Sequence, residues 1–254
     1  MTEKRGCLKS PGSDPYETAS FMYVKLKREL KLKMEDKNRL GIQYMQQGNY
    51  EEAVKCFNEA IEANPNDPVG YINFGNVLAA VGEEEKALKF FKKAIELDEN
   101  AAAAYYSTGS IYYNRGQFMQ AKEMFEKAMK KGLNDADVFF MLGMSLMYLE
   151  QPKLALPYLQ RAAELNEDDV EAIFQFGLCL AQLEFVDEAM KQFHKTIELD
   201  ENHADAYYNL GVAYAYKDDV QTALNMFTKA LAIQPDHLLA GHGKKLMEKA
   251  LKQH

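Results

Sequence analysis

The apolar positions of the chain repeat with a period of 34 residues. A glycine column recurs at this interval, and its members are Gly41, Gly75, Gly109, Gly143, Gly177 and Gly211. Twelve residues after each glycine stands an Ala, and four residues later comes a bulky apolar residue, namely Phe57, Phe91, Phe125, Leu159, Phe193 or Phe227. Three residues further on stands an Ala or, once, Thr196. Four columns in six-fold register indicate six copies of one structural unit.

Within each repeat the apolar spacing is helical. Tyr71, Phe74, Val77 and Leu78 form one stripe, because residues at i, i+3 and i+7 share a helix face. A turn follows at Gly82, and a second stripe then holds Ala87, Phe90, Phe91, Ala94 and Ile95. Turn-forming residues such as those at 64–68 separate the repeats. The pattern therefore predicts two antiparallel helices per repeat, called here the first and the second helix.

Packing explains the columns. Gly and Ala allow the two helices to approach closely, and the Phe of the second helix fills the space beside them. One hairpin cannot bury both of its apolar faces, so neighbouring repeats must stack. The last three repeats depart from the pattern, because Glu150, Glu184 and Asp218 replace the turn glycine of the earlier ones. Pro157 lies inside a second helix, and we expect that helix to be kinked or to start late.

These columns resemble the tetratricopeptide repeat (TPR). The fullest match in this sequence is Tyr207, Leu210, Gly211, Tyr214, Ala223, Phe227, Ala230 and Pro235. The resemblance covers residues 34–237. It implies an all-α fold, a right-handed superhelical solenoid of six antiparallel helix-turn-helix repeats with a concave groove.

The repeat period divides the chain into segments. The six repeats are expected at 34–67, 68–101, 102–135, 136–169, 170–203 and 204–237. Residues 238–254 have one apolar and one charged face, which suits a C-terminal capping helix. Residues 1–15 are predicted to be disordered, and residues 16–33 to form a basic amphipathic helix.

Three interpretations of residues 16–33 remain open. The helix could pack on the first repeat as a cap, or it could be a non-native or alternative upstream extension. It could also be an arm that contacts a membrane, a nucleic acid or the acidic groove. Residues 1–33 hold eight Lys or Arg and four Asp or Glu, so their net charge is +4.

Composition narrows the function class. The net charge is −8, which argues against nucleic-acid binding by the repeats, since such binding needs a basic surface. No apolar run is long enough to cross a bilayer, so membrane contact is expected only through residues 16–33. The three cysteines are widely spaced and form no CxxC pair. We therefore expect a cytoplasmic protein without a disulfide framework.

No catalytic constellation, metal site or cofactor motif is found. The histidines His194, His203, His237, His242 and His254 form no HExxH motif, and Gly-rich phosphate loops and GxSxG are also missing. Cys179 shares a column with Val77, Ile111 and Ala213, which predicts a buried packing residue. The sequence therefore predicts a binding protein that is not an enzyme and has no cofactor.

The resemblance also implies where a partner would bind. Counting each repeat from the position seven before its glycine, positions 2, 5, 6, 9, 12 and 13 of the first helix form what we call the groove face. The predicted site residues on it are Asn73, Asn76, Tyr106, Tyr113, Asn114, Phe140, Met141, Met144, Met147, Tyr148, Phe174, Gln175, Leu178, Gln182, Tyr208, Asn209 and Tyr216.

The chemistry of this face selects among partners. Some chaperone-binding TPR domains hold a C-terminal carboxylate with Lys, Arg and Asn. Here Asn73 matches one such Asn, but Asn38, Ala103 and Ser107 stand where the cations would be. The chain is therefore not expected to bind such a tail.

Methionine and Phe side chains at the middle of the face predict an adaptable apolar surface for a peptide or helix of another protein. In the alternative interpretation, the methionines only fill gaps between helices. Asp137, Glu171 and Asp205 favour a basic partner. The protein itself is expected to be a monomer or a weak homo-oligomer.

Overall fold

A computed structural model describes residues 37–252 and Lys25, and the regular elements in this part of the chain are all helices. The predicted disordered tail (1–15) and basic helix (16–33) lie outside the described residues, apart from Lys25, which is helical and exposed. The described residues fall into an N-terminal unit that ends at Glu99 and a C-terminal unit that begins at Asn100.

From residue 37 onwards, the described part of the N-terminal unit contains four helices, which are α1 (37–46), α2 (Tyr50–Ala63), α3 (Pro68–Ala80) and α4 (Glu84–Leu97). Ala53, Phe57 and Val77 form a buried cluster in this unit. Helices α3 and α4 pack face to face, and the rings of Phe74 and Phe90 stack with their centroids 4.5 Å apart.

The C-terminal unit contains nine helices among its described residues. They are α5 (Ala102–Asn114), α6 (Phe118–Lys130), α7 (Ala136–Tyr148), α8 (Pro152–Leu165), α9 (Val170–Gln182), α10 (Val186–Leu199), α11 (Ala204–Tyr216), α12 (Val220–Ile233) and α13 (Leu238–Leu251). Helices α5 to α12 pack as consecutive pairs, and α13 packs on α12. The predicted all-α class of stacked helix pairs is confirmed.

The glycine column marks the closest approach within each pair. A Cβ atom placed on Gly109 would lie 2.7 Å from Cε1 of Phe125, which is closer than carbon atoms can pack. A Cβ atom on Gly177 would clash in the same way with Phe193, and one on Gly143 would clash with Leu159. The bulky column is fully buried, so the ring or isobutyl group occupies the space that the missing Cβ leaves.

Most first helices begin at a side-chain cap. The carboxylates of Asp135 and Asp169 accept hydrogen bonds from the backbone N–H groups of Val138 and Ala172 at 3.0 and 3.1 Å. At the starts of α11 and α13, Nδ1 of His203 and Nδ1 of His237 accept hydrogen bonds from the backbone N–H groups of Ala206 and Ala240. Both distances are 3.2 Å. Such caps satisfy N–H groups that have no partner within the helix.

Pro157 does not delay the start of its helix. Helix α8 begins at Pro152, in register with Phe118 and Val186 in the neighbouring repeats, so the late start is wrong. Pro152 is well accommodated as the first residue of α8, because the backbone N–H that proline lacks would have had no partner within the helix at that position. The helix continues beyond Pro157 to Leu165.

The turn inside each repeat requires the left-handed backbone region. Gly48, Gly82 and Gly116 have φ between 71° and 83° there, and Glu150 and Glu184 adopt 58° and 65° without being glycine. A residue with a Cβ is strained in this region by roughly 1–2 kcal/mol.

We expect Glu150→Gly to raise the free energy of unfolding by about 0.5–1 kcal/mol, because it removes this strain but makes the unfolded chain more flexible. Urea unfolding followed by circular dichroism measures the change. Glu150→Ala is the matched control, since it removes the carboxylate and keeps the Cβ. An equal gain in both variants would mean that charge, and not backbone strain, is responsible.

Two polar groups of the core are satisfied locally. The Thr196 hydroxyl, in the column otherwise filled by Ala, donates to the carbonyl oxygen of Gln192 at 2.9 Å. The Cys179 thiol donates to the carbonyl oxygen of Pro152 at 3.4 Å. Burial raises the pKa of the Cys179 thiol to about 11, so the group stays protonated at neutral pH. Its predicted role as a buried packing residue is confirmed.

Candidate functional site

The N-terminal unit contributes two predicted site residues, Asn73 and Asn76, both half-buried on α3. The Asn73 amide donates to Oδ1 of Asn38 on α1 at 3.1 Å. Asn38 is itself almost fully buried. Asn73 therefore joins two first helices, and its amide has hydrogen-bonding capacity beyond this one contact.

Two predicted site residues of the C-terminal unit belong to the core instead. Met144 and Phe174 are only 8% and 6% exposed. Met144 packs in a cluster with Phe125 and Leu159, and Phe174 packs beside Phe193 with ring centroids 5.8 Å apart. The prediction that these two side chains present surface to a partner is wrong, because packing against second helices covers them.

The remaining apolar residues at the middle of the face are half-buried. Phe140, Met141 and Met147 pack against the same core cluster as Met144. At Met144 the structure supports the alternative interpretation, in which a methionine fills a gap between helices. A Met144→Ala variant would therefore test core stability before it tested binding.

Exposed apolar surface lies nearer the C-terminal ends of the first helices. Tyr148 is 55% exposed, and Val212 and Tyr216 are 43% and 72% exposed. Asn114 and Gln182 are exposed at the position equivalent to these tyrosines. Leu178 and Tyr208 are half-buried, as is Tyr106, whose ring centroid lies 5.6 Å from that of Phe125.

An aromatic cluster covers part of this surface between α5, α6 and α7. The rings of Phe118 and Tyr148 stack with centroids 4.3 Å apart. The Tyr113 ring packs edge-on against the rings of Phe118 and Tyr148, with centroid distances of 5.4 and 5.8 Å. Burial, followed by the neighbouring Tyr148, raises the pKa of Tyr113 above its usual range, so its hydroxyl is neutral at all physiological pH values.

A cavity of about 180 Å³ opens between α9, α10 and α11. We call it the Ala181 pocket, and its lining residues are Ala181, Glu184, Val186, Ala189, Phe193, Asn209, Val212, Ala213 and Tyr216. Most of these side chains are apolar. Sequence reasoning placed Ala181 and Val212 on the groove face but missed Val186 and Glu184, which lie beyond the first helix. Glu184 and Val186 stand seven and nine residues after Gly177, in the turn and at the start of the second helix, so the repeat register could have placed them beside the end of the first helix.

The predicted amides are partly engaged within their own helices. Gln175 Nε2 donates to the Glu171 carboxylate at 2.8 Å. Asn209 Nδ2 donates to the carbonyl oxygen of Asp205, also at 2.8 Å. Each amide still has an acceptor oxygen and a second N–H, so each can bind a further backbone group.

The charges on the groove face of the C-terminal unit are all acidic. Asp137, Glu171 and Asp205 are exposed at the same position of three successive repeats. The Asp205 carboxylate lies 3.1 Å from Nε2 of the buried His237. Asp137 also contributes, after burial, to raising the pKa of Tyr106.

In the described part of the chain, no group of three or more His, Cys, Asp or Glu is placed to hold a metal ion. Over the same residues, no helix has both the length and the apolar character needed to cross a bilayer.

Comparison with sequence models of known families gives matches along most of the described chain. Models described as "Tetratricopeptide repeat" match residues 37–67, 56–89, 103–131, 136–169 and 204–237. A model described as "TPR repeat" matches residues 75–116 and 177–218.

Solved structures give the same result. The chain is 56% identical to the crystal structure of YrrB, described as a TPR protein with an unusual peptide-binding site. The match covers 74% of this chain and 97% of that one, with a TM-score of 0.71. A structure of Pseudomonas aeruginosa pilF has a TM-score of 0.74 over 84% of this chain and 97% of its own, at 18% identity, and so shows the fold alone.

A comparison with curated proteins finds the TPR repeat-containing protein YrrB of Bacillus subtilis (strain 168). It is 55% identical over 39 residues, which are 15% of this chain and 19% of that protein.

Proposed function

The chain belongs to the tetratricopeptide-repeat family, and from this premise we propose that it is a non-enzymatic scaffold that binds an apolar, basic peptide segment of a partner protein on its groove face. Such binding would assemble the partner into a multiprotein complex. The description of YrrB as having a peptide-binding site supports this proposal.

One observation carries the proposal. The groove face of the C-terminal unit combines exposed apolar side chains with acidic groups and has no Lys or Arg at its six positions. Tyr148, Val212 and Tyr216 offer apolar contact area, while Asp137 and Glu171 attract a cation. Complementary charge speeds association and excludes partners of the same sign.

Amide side chains suit the same partner. Gln175, Gln182 and Asn209 lie on the groove face between the apolar residues. A peptide backbone must find hydrogen-bond partners when it leaves water, and amides supply both donors and acceptors.

Charge reversal of the groove face tests this function. Peptides are first selected from a displayed random library against the whole protein. We expect the triple variant Asp137→Lys, Glu171→Lys, Asp205→Lys to weaken the selected peptides about tenfold or more, because it repels their basic residues. Isothermal titration measures the affinity, and circular dichroism verifies the fold.

The control makes the same charge change on second helices, with Glu123→Lys, Glu164→Lys and Glu198→Lys. All three side chains are exposed on α6, α8 and α10. Equal losses in the two triple variants would assign the effect to net charge and contradict the groove assignment.

A second candidate is an adaptor that docks to a membrane or RNA through residues 16–33. The +4 charge of residues 1–33 favours it, although these residues lie outside the described part, Lys25 excepted. Deleting residues 1–33 separates the two functions. Peptide binding that survives the deletion supports the groove, whereas binding to anionic vesicles or RNA that disappears with it supports the adaptor.

A further inference from the structure

The Ala181 pocket has a counterpart two repeats earlier in the same unit. Ala181, Val186 and Tyr216 occupy the repeat positions of Tyr113, Phe118 and Tyr148. In the earlier pair of repeats the three rings pack on one another, with the closest pair stacked at 4.3 Å. In the later pair two of the three rings are replaced by smaller side chains.

The replacement leaves more of the third ring exposed, since the counterpart Tyr148 is 55% exposed. Tyr216 is 72% exposed, the largest fraction of any aromatic residue among the exposed large apolar side chains, while its counterpart Tyr148 is stacked on Phe118. The space beside Tyr216 is the cavity of about 180 Å³, and buried Phe193 and Ala189 line it as well. The chain thus contains both a closed and an open form of one local arrangement.

The volume of the cavity indicates which chemical group could bind in it. An apolar cavity of about 150 Å³ in a protein core binds one benzene molecule. The Ala181 pocket is slightly larger and is lined mainly by Ala, Val and aromatic carbon atoms. One phenyl or phenol ring therefore fits it, and the exposed face of Tyr216 offers the ring contact that Phe118 gives Tyr148.

The charge at the pocket indicates which residue type would stand next to the aromatic residue in a bound peptide. Glu184 is exposed and lines the pocket, which has no Lys, Arg or His among its lining residues. The nearby Lys217 is paired with Asp187 at 2.6 Å, and that contact holds the pKa of the Asp187 carboxyl low. A cation that arrives with the peptide can therefore meet the Glu184 carboxylate.

We propose that the Ala181 pocket is the specificity pocket of the groove face and binds one aromatic side chain of a partner peptide, with a Lys or Arg beside it contacting Glu184. The inference rests on the proposed peptide-binding function. Aromatic anchors in buried pockets commonly contribute most of the affinity of an interface.

Blocked dipeptides test the pocket directly on the full chain. The probes are N-acetyl-Phe-Lys-amide, the same compound with Ala in place of Phe, and the same compound with Glu in place of Lys. We expect the Phe-Lys probe to shift the NMR signals of the Val212 methyl groups in a saturable manner. The Ala-Lys probe should leave them unmoved, and the Phe-Glu probe should bind at least threefold more weakly.

Filling the pocket supplies the protein-side test. The double variant Ala181→Tyr, Val186→Phe introduces the side chains that the chain itself carries at positions 113 and 118. We expect it to weaken the Phe-Lys probe and aromatic library peptides tenfold or more. Gln120→Tyr, which adds a ring at an exposed position on the second helix α6, away from the groove face, is the matched control and should bind normally. If the double variant loses helicity, Val186→Phe alone replaces it.

The outcomes separate this inference from the proposed function. If library peptides bind, but neither the double variant nor a Phe-to-Ala change in the peptide alters their affinity, the pocket assignment is wrong and the scaffold function stands. If the Phe-Lys probe enters the pocket while no library peptide binds, the pocket is correct and the scaffold function fails. Val212 signals that stay unmoved at saturating Phe-Lys probe overturn the pocket in either case.

Discussion

Replacing Phe125 by Ala is expected to lower the free energy of unfolding of the C-terminal unit by about 3–5 kcal/mol. Phe125 is fully buried on α6, and its ring fills the space left by Gly109 and contacts Tyr106. Truncation removes this contact area and leaves a cavity, because helices held by neighbours on both sides cannot collapse fully into it.

Urea unfolding followed by circular dichroism measures this loss. Phe125→Leu is the matched comparison, since Leu159 occupies the same column one repeat later, and it should cost clearly less than the Ala variant. Met119→Ala, at an exposed position on the same helix, should stay within about 0.5 kcal/mol of the parent protein. A small loss for Phe125→Ala would show that the ring is not the central packing element of its helix pair.

Replacing Gly109 by Val is expected to destabilise the same pair by about 1–3 kcal/mol or more, through overpacking. The first added carbon would meet three ring atoms of Phe125 at 2.7 to 3.1 Å. The ring has no open space to move into, since it is completely buried. The two helices would have to separate, and their other contacts would weaken.

A double-mutant cycle distinguishes this clash from a general effect of replacing glycine. In the Phe125→Ala background, Gly109→Ala should cost much less than in the parent protein, because the obstructing ring is gone. Gly241→Ala on α13 is a control for which we expect a change in stability of the opposite sign. Its nearest neighbour would be 3.9 Å away, so the change should stabilise by about 0.5–1 kcal/mol through better helix propensity. Additive losses at Gly109 and Phe125 would contradict the packing explanation.

The effect of either core change depends on how far cooperativity extends. In stacked repeats each unit contacts its neighbours, so stability is close to a sum of repeat and interface contributions. A local loss near Phe125 can therefore unfold one part of the C-terminal unit before the rest. Hydrogen exchange of α6 and α12 in the same sample would report that difference directly.

Much of the fold follows from periodicity alone. The glycine and phenylalanine columns predicted helix pairs, because a 34-residue period with helical spacing has few other physical explanations. The repeat columns alone predicted that Gly109 packs against Phe125 and that Cys179 lies in the core. Local signals were less decisive, since Pro157 was compatible with either a kink or a late start.

The sequence by itself determined the helical-hairpin architecture, the buried columns and the acidic character of the groove face, since these depend on residue type and on period. Only the tertiary structure decided which groove-face residues reach solvent. Met144 has the same helical position as the exposed Val212, and Phe174 has the same position as the half-buried Phe140 and Tyr208, yet both are buried because the adjoining helices cover them. The Ala181 pocket depends on side chains from three helices, and helical spacing within one element carries no information about how much room its neighbours leave.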